Sequence, residues 1–458
     1  MRALITCWPF TAHVHGQMAV AAELTRRGHE VAFYTGASAA PTIERAGYRH
    51  FPMVAVDEAA AARHVETLEM PRQSGRNNVR LLRAAYRNWL VETIPQQVTD
   101  LTSIVDEWSP DVIACDLSLW GPLLVLSDTG NVPVALSSTF LGPLTPGRDA
   151  PPAGLGLPSP RSALGRIACS VIQRITDIAA TGMRRRIDQI RADYGLAPMG
   201  CSVNRYTGQL PLYLVPSIPE LDYGRTDVPA SVHYVGPLLW HPPSDPTTNA
   251  WLDTIPTEKP WVHVTESTLR AGDPFLLRAA VDGLAHAPLE LIGTTGLHRD
   301  PASLGFADAP ANIHLGQWVN HDELLPRCEV VITTGGPATI TAALAAGVPL
   351  IIVPTTWDKP DNARRVVEAG VGIRLSPRKC TPDELRKAVM QLMQEPAYRK
   401  RAQELAAKLA AAPGADRAAD LLEQLAAQPR RPEPQRPLAV AVPSARRASS
   451  KPGTGSQK

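Results

Sequence analysis

The run VITTGGPATITAALAAGVPLIIVPTTWDKPDN, ending at Asn362, constrains the fold more than any other stretch. It reads as a buried strand, a Gly335-Gly336 turn, a helix of small residues, a second buried strand and a polar loop. Two apolar strands joined through a helix make a parallel crossover, and a parallel sheet needs cover on both faces. The turn places backbone N–H groups beside Thr334 and Thr339 at a helix N-terminus, where an anion is stabilised. The loop after the second strand carries Asp358, Lys359, Asp361 and Asn362 to the same sheet edge. A phosphate cradle next to side chains that bind hydroxyls is what a sugar nucleotide requires.

At 458 residues the chain is too long for one hydrophobic core, so two α/β domains and a tail are expected. RALITC, an amphipathic helix from Gln17 to Gly28, and EVAFYT form a βαβ unit in the first half. VIACD and VPVALSS are later strands. WVHVTEST, LELIGTT, EVVITTGG and LIIVPTT open a second doubly wound series. The predicted boundaries are a first domain over 1–225, a proline-rich connection over 226–250, a second domain over 251–427 and a disordered tail over 428–458. Lys plus Arg (46) nearly balances Asp plus Glu (44), so no basic field points to nucleic acid. Six dispersed cysteines, without CxxC or zinc spacing, fit a reducing compartment, and the N-terminus lacks a signal-peptide layout. A cytoplasmic protein is expected. The Arg184–Arg186 cluster suits an anionic membrane surface, but a solvated helix face is the favoured reading.

Ligands of open α/β sheets bind beyond the carboxyl ends of the strands. His13 and His15 follow the first strand, in a segment that reads as a loop, and Asp116 ends VIACD. A histidine oriented by a carboxylate is a competent general base near neutral pH. Thr265–Thr268, Thr294-Thr295 and the Thr334–Thr339 turn set hydroxyls at three strand ends of the second half, suited to phosphate oxygens. Trp318 is either a core aromatic or a nucleobase platform. GxSxG and P-loop signatures are absent, which argues against a serine hydrolase or a P-loop NTPase.

These residues carry a resemblance. AHVHGQMAVAAELTRRGHEV and the long run from WVNHDELL to VVEAGVG resemble the family 1 glycosyltransferases of the GT-B type, close to bacterial enzymes that glycosylate natural products and lipids. The likeness spans roughly residues 1–427. It implies two Rossmann-like domains facing a cleft, with the acceptor on the first and the nucleotide sugar on the second. It implies an inverting hexosyltransferase of antibiotic-biosynthesis type, without a cofactor or metal, acting on a hydrophobic small molecule or lipid. The family pattern sets a histidine fourteen residues before Arg27, which selects His13 as base with Asp116 as its partner. Trp318 and Val319 would meet the nucleobase. Thr268, Thr334, Gly335, Gly336 and Thr339 would hold the diphosphate and Asp358 the sugar hydroxyls, with Lys359 next to it in the donor site.

Several positions depart from the pattern. Thr334 replaces a histidine, Ala342 a ribose-clamping glutamate, and Lys359 a glutamine. A missing ribose clamp matters less for deoxythymidine, which has no 2′-hydroxyl, so a dTDP-sugar or an unusual hexose is expected over UDP-glucose. The alternatives are a GT-B sugar-nucleotide epimerase and a non-catalytic auxiliary protein.

Overall fold

The computed structural model describes residues 1–69, 76–130, 132–240, 246–266, 273–296 and 299–429. Two parallel sheets organise them. The first has seven strands: β1 (Arg2–Thr6), β2 (Glu30–Thr35), β3 (Arg49–Pro52), β4 (Val112–Cys115), β5 (Val134–Ser137), β6 (Tyr213–Val215) and β7 (Val232–Tyr234). They lie in the order β3-β2-β1-β4-β5-β6-β7. The second sheet holds β8 (Trp261–Thr265), β9 (Glu290–Thr294), β10 (Ile313–Gly316), β11 (Cys328–Thr333), β12 (Leu350–Ile352) and β13 (Gly372–Arg374). Their order is β10-β9-β8-β11-β12-β13. Each order reverses direction once, between β1 and β4 and between β8 and β11. A crevice opens at such a switch point.

The central strands are mostly apolar because helices cover both faces, with His263 in β8 and Glu329 in β11 among the exceptions. Leu4, Ile113 and Leu136 point into one core of the first sheet, while Ala3, Ile5, Val112 and Ala114 point into the other. Val331 and Ile352 face one core of the second sheet, and Val330, Ile332 and Ile351 face the other.

Two segments differ from the expected boundaries. Val232–Tyr234, inside the stretch read as a connection, pairs with β6 as the last strand of the first sheet. The surrounding prolines conceal it, because three residues are too few for a periodic signal. The helix Ala415–Ala426, read as part of the second domain, instead packs Leu421, Leu422 and Leu425 into the first domain's core. Arg27 holds it there through Asp416 (2.6 Å) and Asp420 (2.7 Å). The expected tail from 430 onward lies outside the described residues.

Candidate active site

His13 lies in the opening turn of the helix Thr11–Arg26, not in a loop. The helix starts six residues before Gln17 because the Phe10 carbonyl accepts from the N–H groups of His13 and Val14, and Val14 and Met18 turn into the core. Gly16 and the β-branched Val14 weaken the helical signal in the sequence. Asp116 follows β4, beside β1 at the switch point. Its Oδ2 meets His13 Nδ1 at 3.1 Å. Its Oδ1 accepts from the Ser118 N–H at 2.9 Å and from the Ser118 hydroxyl. His15 points elsewhere, with its ring edge-on to Trp240 at 5.1 Å.

Asp116 is fully buried, whereas 18% of the His13 side chain is exposed. Burial favours a neutral Asp116, but the His13 charge and the hydrogen bonds from His13 and Ser118 hold its pKa below the usual range. Burial also favours neutral His13. The charge and hydrogen bond of Asp116, joined by the charge of Asp358, overcome this and raise the imidazole above its ordinary value. Asp358 belongs to the other sheet's domain, so the two halves meet electrically at His13.

Across the cleft, Gly335 takes φ +99°, a conformation that L side chains rarely adopt, and an added Cβ would lie 2.8 Å from Ile352. Gly336 then caps the helix Pro337–Ala345, with Pro337 at its first position and Thr339 in its first turn. Thr334 is buried at the end of β11. The turn therefore directs a helix N-terminus toward the switch point, as an anion site requires.

Asp358 precedes the helix Lys359–Glu368. Asn362 donates to Asp358 Oδ2 (2.7 Å) and to the Gly335 carbonyl (3.0 Å), which ties the glycine turn to this carboxylate. Burial raises the Asp358 pKa against the opposing influence of Asn362, Lys359 and His13. Buried Lys359 sends Nζ to Thr355 Oγ1 at 3.2 Å, and its Cβ lies beside the Gly335 turn. Trp318 is half-buried just past β10, and Val319 is buried in the second domain's core. Thr268 lies outside the described residues.

Some residues expected at the ligand serve the scaffold. The Asp361 carboxylate accepts from the N–H groups of Gly154 (2.6 Å) and Gly156 (2.7 Å). Thr294 donates to Thr265 at 2.9 Å, and Thr295 bonds to the Arg299 and Gly316 carbonyls. Glu266 Oε1 accepts from Leu276 and Leu277 at the start of the helix Phe275–Leu284. The Pro/Gly-rich stretch 141–161 bridges the domains: Leu141 is buried in the second domain's core, and Ser159 donates to Glu368 at 2.8 Å.

The sequence reading did not single out Ser118 or the aromatic wall around Trp357. Trp357 takes φ +62° and packs edge-on against Tyr86 and Trp89 of the first domain, each at 5.2 Å. Among the described residues, no group of three or more His, Cys, Asp or Glu side chains is placed to hold a metal ion. No described helix is long and apolar enough to cross a membrane.

Residues 293–425 match the family model of the erythromycin biosynthesis protein CIII-like C-terminal domain. The chain is 33% identical over 426 residues to 4'-demethylrebeccamycin synthase of Lentzea aerocolonigenes, covering 93% of this chain and 99% of that protein. It is 28% identical over 333 residues to a PGL/p-HBAD biosynthesis rhamnosyltransferase of Mycobacterium bovis (strain BCG / Pasteur 1173P2), covering 72% of this chain and 70% of that one. The crystal structure of the kitacinnamycin glycotransferase superposes with TM-score 0.68 at 22% identity, over 93% of this chain and 98% of that chain. That of the glycosyltransferase VinC in complex with dTDP gives TM-score 0.65 at 20% identity, over 93% and 99%. With its two parallel-sheet domains and its end-to-end likeness to the synthase, the chain belongs to the GT-B natural-product glycosyltransferases and is a sugar-transferring enzyme.

Proposed function

We propose that this enzyme transfers a hexose, with inversion, from a nucleoside-diphosphate sugar to a hydroxyl of a hydrophobic small-molecule or lipid acceptor. The observation that carries the reading is the His13–Asp116 pair at the switch point of the first sheet, with the Asp358 charge acting on the same imidazole. Asp116 accepts a hydrogen bond from the Nδ1–H of His13, which leaves Nε2 as the basic nitrogen. His13 Nε2 takes the acceptor's hydroxyl proton as that oxygen bonds to the anomeric carbon. The bond from that carbon to the diphosphate breaks, and the diphosphate leaves with the electron pair. Negative charge grows toward the Gly335–Thr339 turn, where N–H groups and the helix dipole stabilise it. Lys359 supplies the positive charge that Thr334 lacks, and Asp358 accepts from sugar hydroxyls. Trp318 stacks on the nucleobase and the Val319 backbone meets its edge, while Thr334, Gly335, Gly336 and Thr339 hold the diphosphate. These protein groups carry the charge without a divalent metal.

The donor we favour is a dTDP-sugar. Ala342 offers no carboxylate to a ribose diol, and the structural neighbour VinC was solved with dTDP. A cytoplasmic enzyme fits the six cysteines, all of them free thiols. His13→Ala is expected to abolish transfer while leaving donor binding intact in calorimetry. Undiminished turnover in that variant would refute the role of the base. A thermal-shift screen of dTDP- and UDP-sugars tests the donor, and preferential stabilisation by UDP-glucose would overturn that part. Turnover of donor without acceptor would point to an epimerase instead.

A further inference from the structure

The helix Ala163–Ala179 is turned inside out. None of its seventeen residues is buried, although it is strongly apolar along one side. Leu164 is 79% exposed, Ile167 60%, Val171 50%, Ile175 59% and Ile178 72%. At about 100° per residue these five fall within an arc of about 80°. The residues that the body of the protein partly covers, among them Arg166, Cys169, Gln173, Thr176 and Asp177, lie on the opposite side. Arg166 is tied inward to Asp149 at 3.4 Å, and Gln173 bonds Asp177 at 2.9 Å. A surface helix ordinarily turns its apolar stripe to the core and its polar side to water. Here the polar side is held down and the aliphatic stripe faces out.

We propose that this stripe pairs with the same stripe of a second copy of the chain, in an antiparallel arrangement about a twofold axis at Val171. The spacing of the five residues, 3-4-4-3, reads the same in both directions. An antiparallel pair therefore sets Leu164 of one copy against Ile178 of the other, Ile167 against Ile175, and Val171 against Val171. An isologous interface demands this self-complementarity. Charge points the same way. Arg174, exposed at the edge of the stripe, falls opposite Ala168 of the other copy in the antiparallel register, whereas a parallel register would set the two Arg174 side chains together. The stripe exposes about 500 Å² per copy, so the pair buries about 1,000 Å², the lower bound of a specific interface. Lipid is the less suitable occupant: the stripe has no Trp, Tyr, Phe or Lys, and the polar side faces protein rather than water. Dimerisation would also brace the 141–161 stretch, which leads directly into this helix and holds Asp361 three residues beyond Asp358.

The test is sedimentation of the full chain across a micromolar concentration range, beside Val171→Glu. The wild type is expected to run as a dimer. V171E is expected to weaken self-association by about 100-fold or more, because it sets two carboxylates together on the axis. Val171 is exposed, so circular dichroism and melting of the variant should match the wild type. In a Cys169→Ala background, Val171→Cys should form a covalent dimer on mild oxidation, while Cys169→Ala alone should not. A wild type that stays monomeric overturns the proposal, as does a dimer that V171E leaves intact. V171E-sensitive flotation of a monomer with anionic phospholipid vesicles would also overturn it and assign the stripe to lipid.

Discussion

Replacing Asp116 with asparagine tests the catalytic assignment most sharply, because the local hydrogen bonds dictate how the new amide must sit. Oδ1 accepts two hydrogen bonds from Ser118, one from its N–H and one from its hydroxyl. The amide oxygen will keep those donors, which leaves the NH2 group facing His13 Nδ1 across the present 3.1 Å. An NH2 there forces Nδ1 to accept, so the ring proton moves to Nε2 and the nitrogen that should take the acceptor's proton no longer can. The charge is lost as well. At 3.1 Å an imidazolium and a carboxylate attract by on the order of 5 kcal/mol at an effective dielectric of about 20. At about 1.4 kcal/mol per decade of rate that sets a ceiling near 10⁴-fold. General-base catalysis contributes about 10²–10⁴-fold, so a loss in kcat of about 10³-fold is expected. The pH profile adds a signature that misfolding would not mimic. Wild-type His13 sits above its ordinary value, and as a base it works only when neutral, so activity falls as pH drops through that raised value. Without the Asp116 charge, burial pushes the pKa down, and the acid limb of kcat/KM should move to lower pH as the plateau drops. Initial rates at saturating donor, with calorimetric donor binding as the control, measure both. A kcat within tenfold of wild type, or an acid limb displaced to higher pH, would refute the reasoning.

Three further outcomes follow from the donor side. Lys359→Gln is expected to raise the donor KM about tenfold with a smaller change in kcat, since a charge-assisted bond to phosphate becomes a neutral one; an unchanged KM would remove Lys359 from the diphosphate. Asn362→Ala deletes the tie between Gly335 and Asp358 and should cost about 2 kcal/mol in chemical denaturation, together with a fall in kcat. Wild-type stability with lowered kcat would instead assign Asn362 a direct role at the substrate. Turnover should persist in excess EDTA, because the helix N-terminus and Lys359 are assigned the leaving-group charge; full loss restored by magnesium would contradict that assignment.

The parts of this site written in the sequence are those fixed by strand ends. Asp116 follows the apolar strand β4 and Gly335-Gly336 comes just after β11, so their place at the crevice follows from strand-end position alone. What stayed hidden depends on contacts remote in the chain. Asp361 looked as available to a sugar as Asp358, because nothing local reveals that Gly154 and Gly156, some two hundred residues earlier, occupy its oxygens. The threonines at the ends of β8 and β9 looked like phosphate ligands, yet Thr294 donates to Thr265 across neighbouring strands. His13 and His15 differ by two positions on one helix, and a rotation of about 200° turns one toward Asp116 and the other toward Trp240. Sequence periodicity missed that helix start because glycine and a β-branched residue occupy its opening turns.

The same long-range contacts explain how two separate domains hold His13 and Asp358 in register. The helix that Asp358 precedes is latched along its length by the first domain. Asp361 holds the Gly154 and Gly156 backbone, Glu368 accepts from Ser159, and Arg365 meets Asp222 at 3.0 Å with both side chains buried. Removing one partner of a buried pair costs about 3–5 kcal/mol, so this latch resists sliding far more than an exposed ion pair would. On its other side, Trp357 is wedged against Tyr86 and Trp89, and its left-handed backbone turns the chain immediately before Asp358. A left-handed bulky residue costs about 1–3 kcal/mol and persists only where its surroundings hold it. Here an aromatic wall of the opposite domain holds it. Transfer between two domains needs the attacking oxygen about 3–3.5 Å from the anomeric carbon. That tolerance is narrower than an apolar interface alone would enforce, and directional bonds flanking a strained residue are the physical means by which this fold meets it.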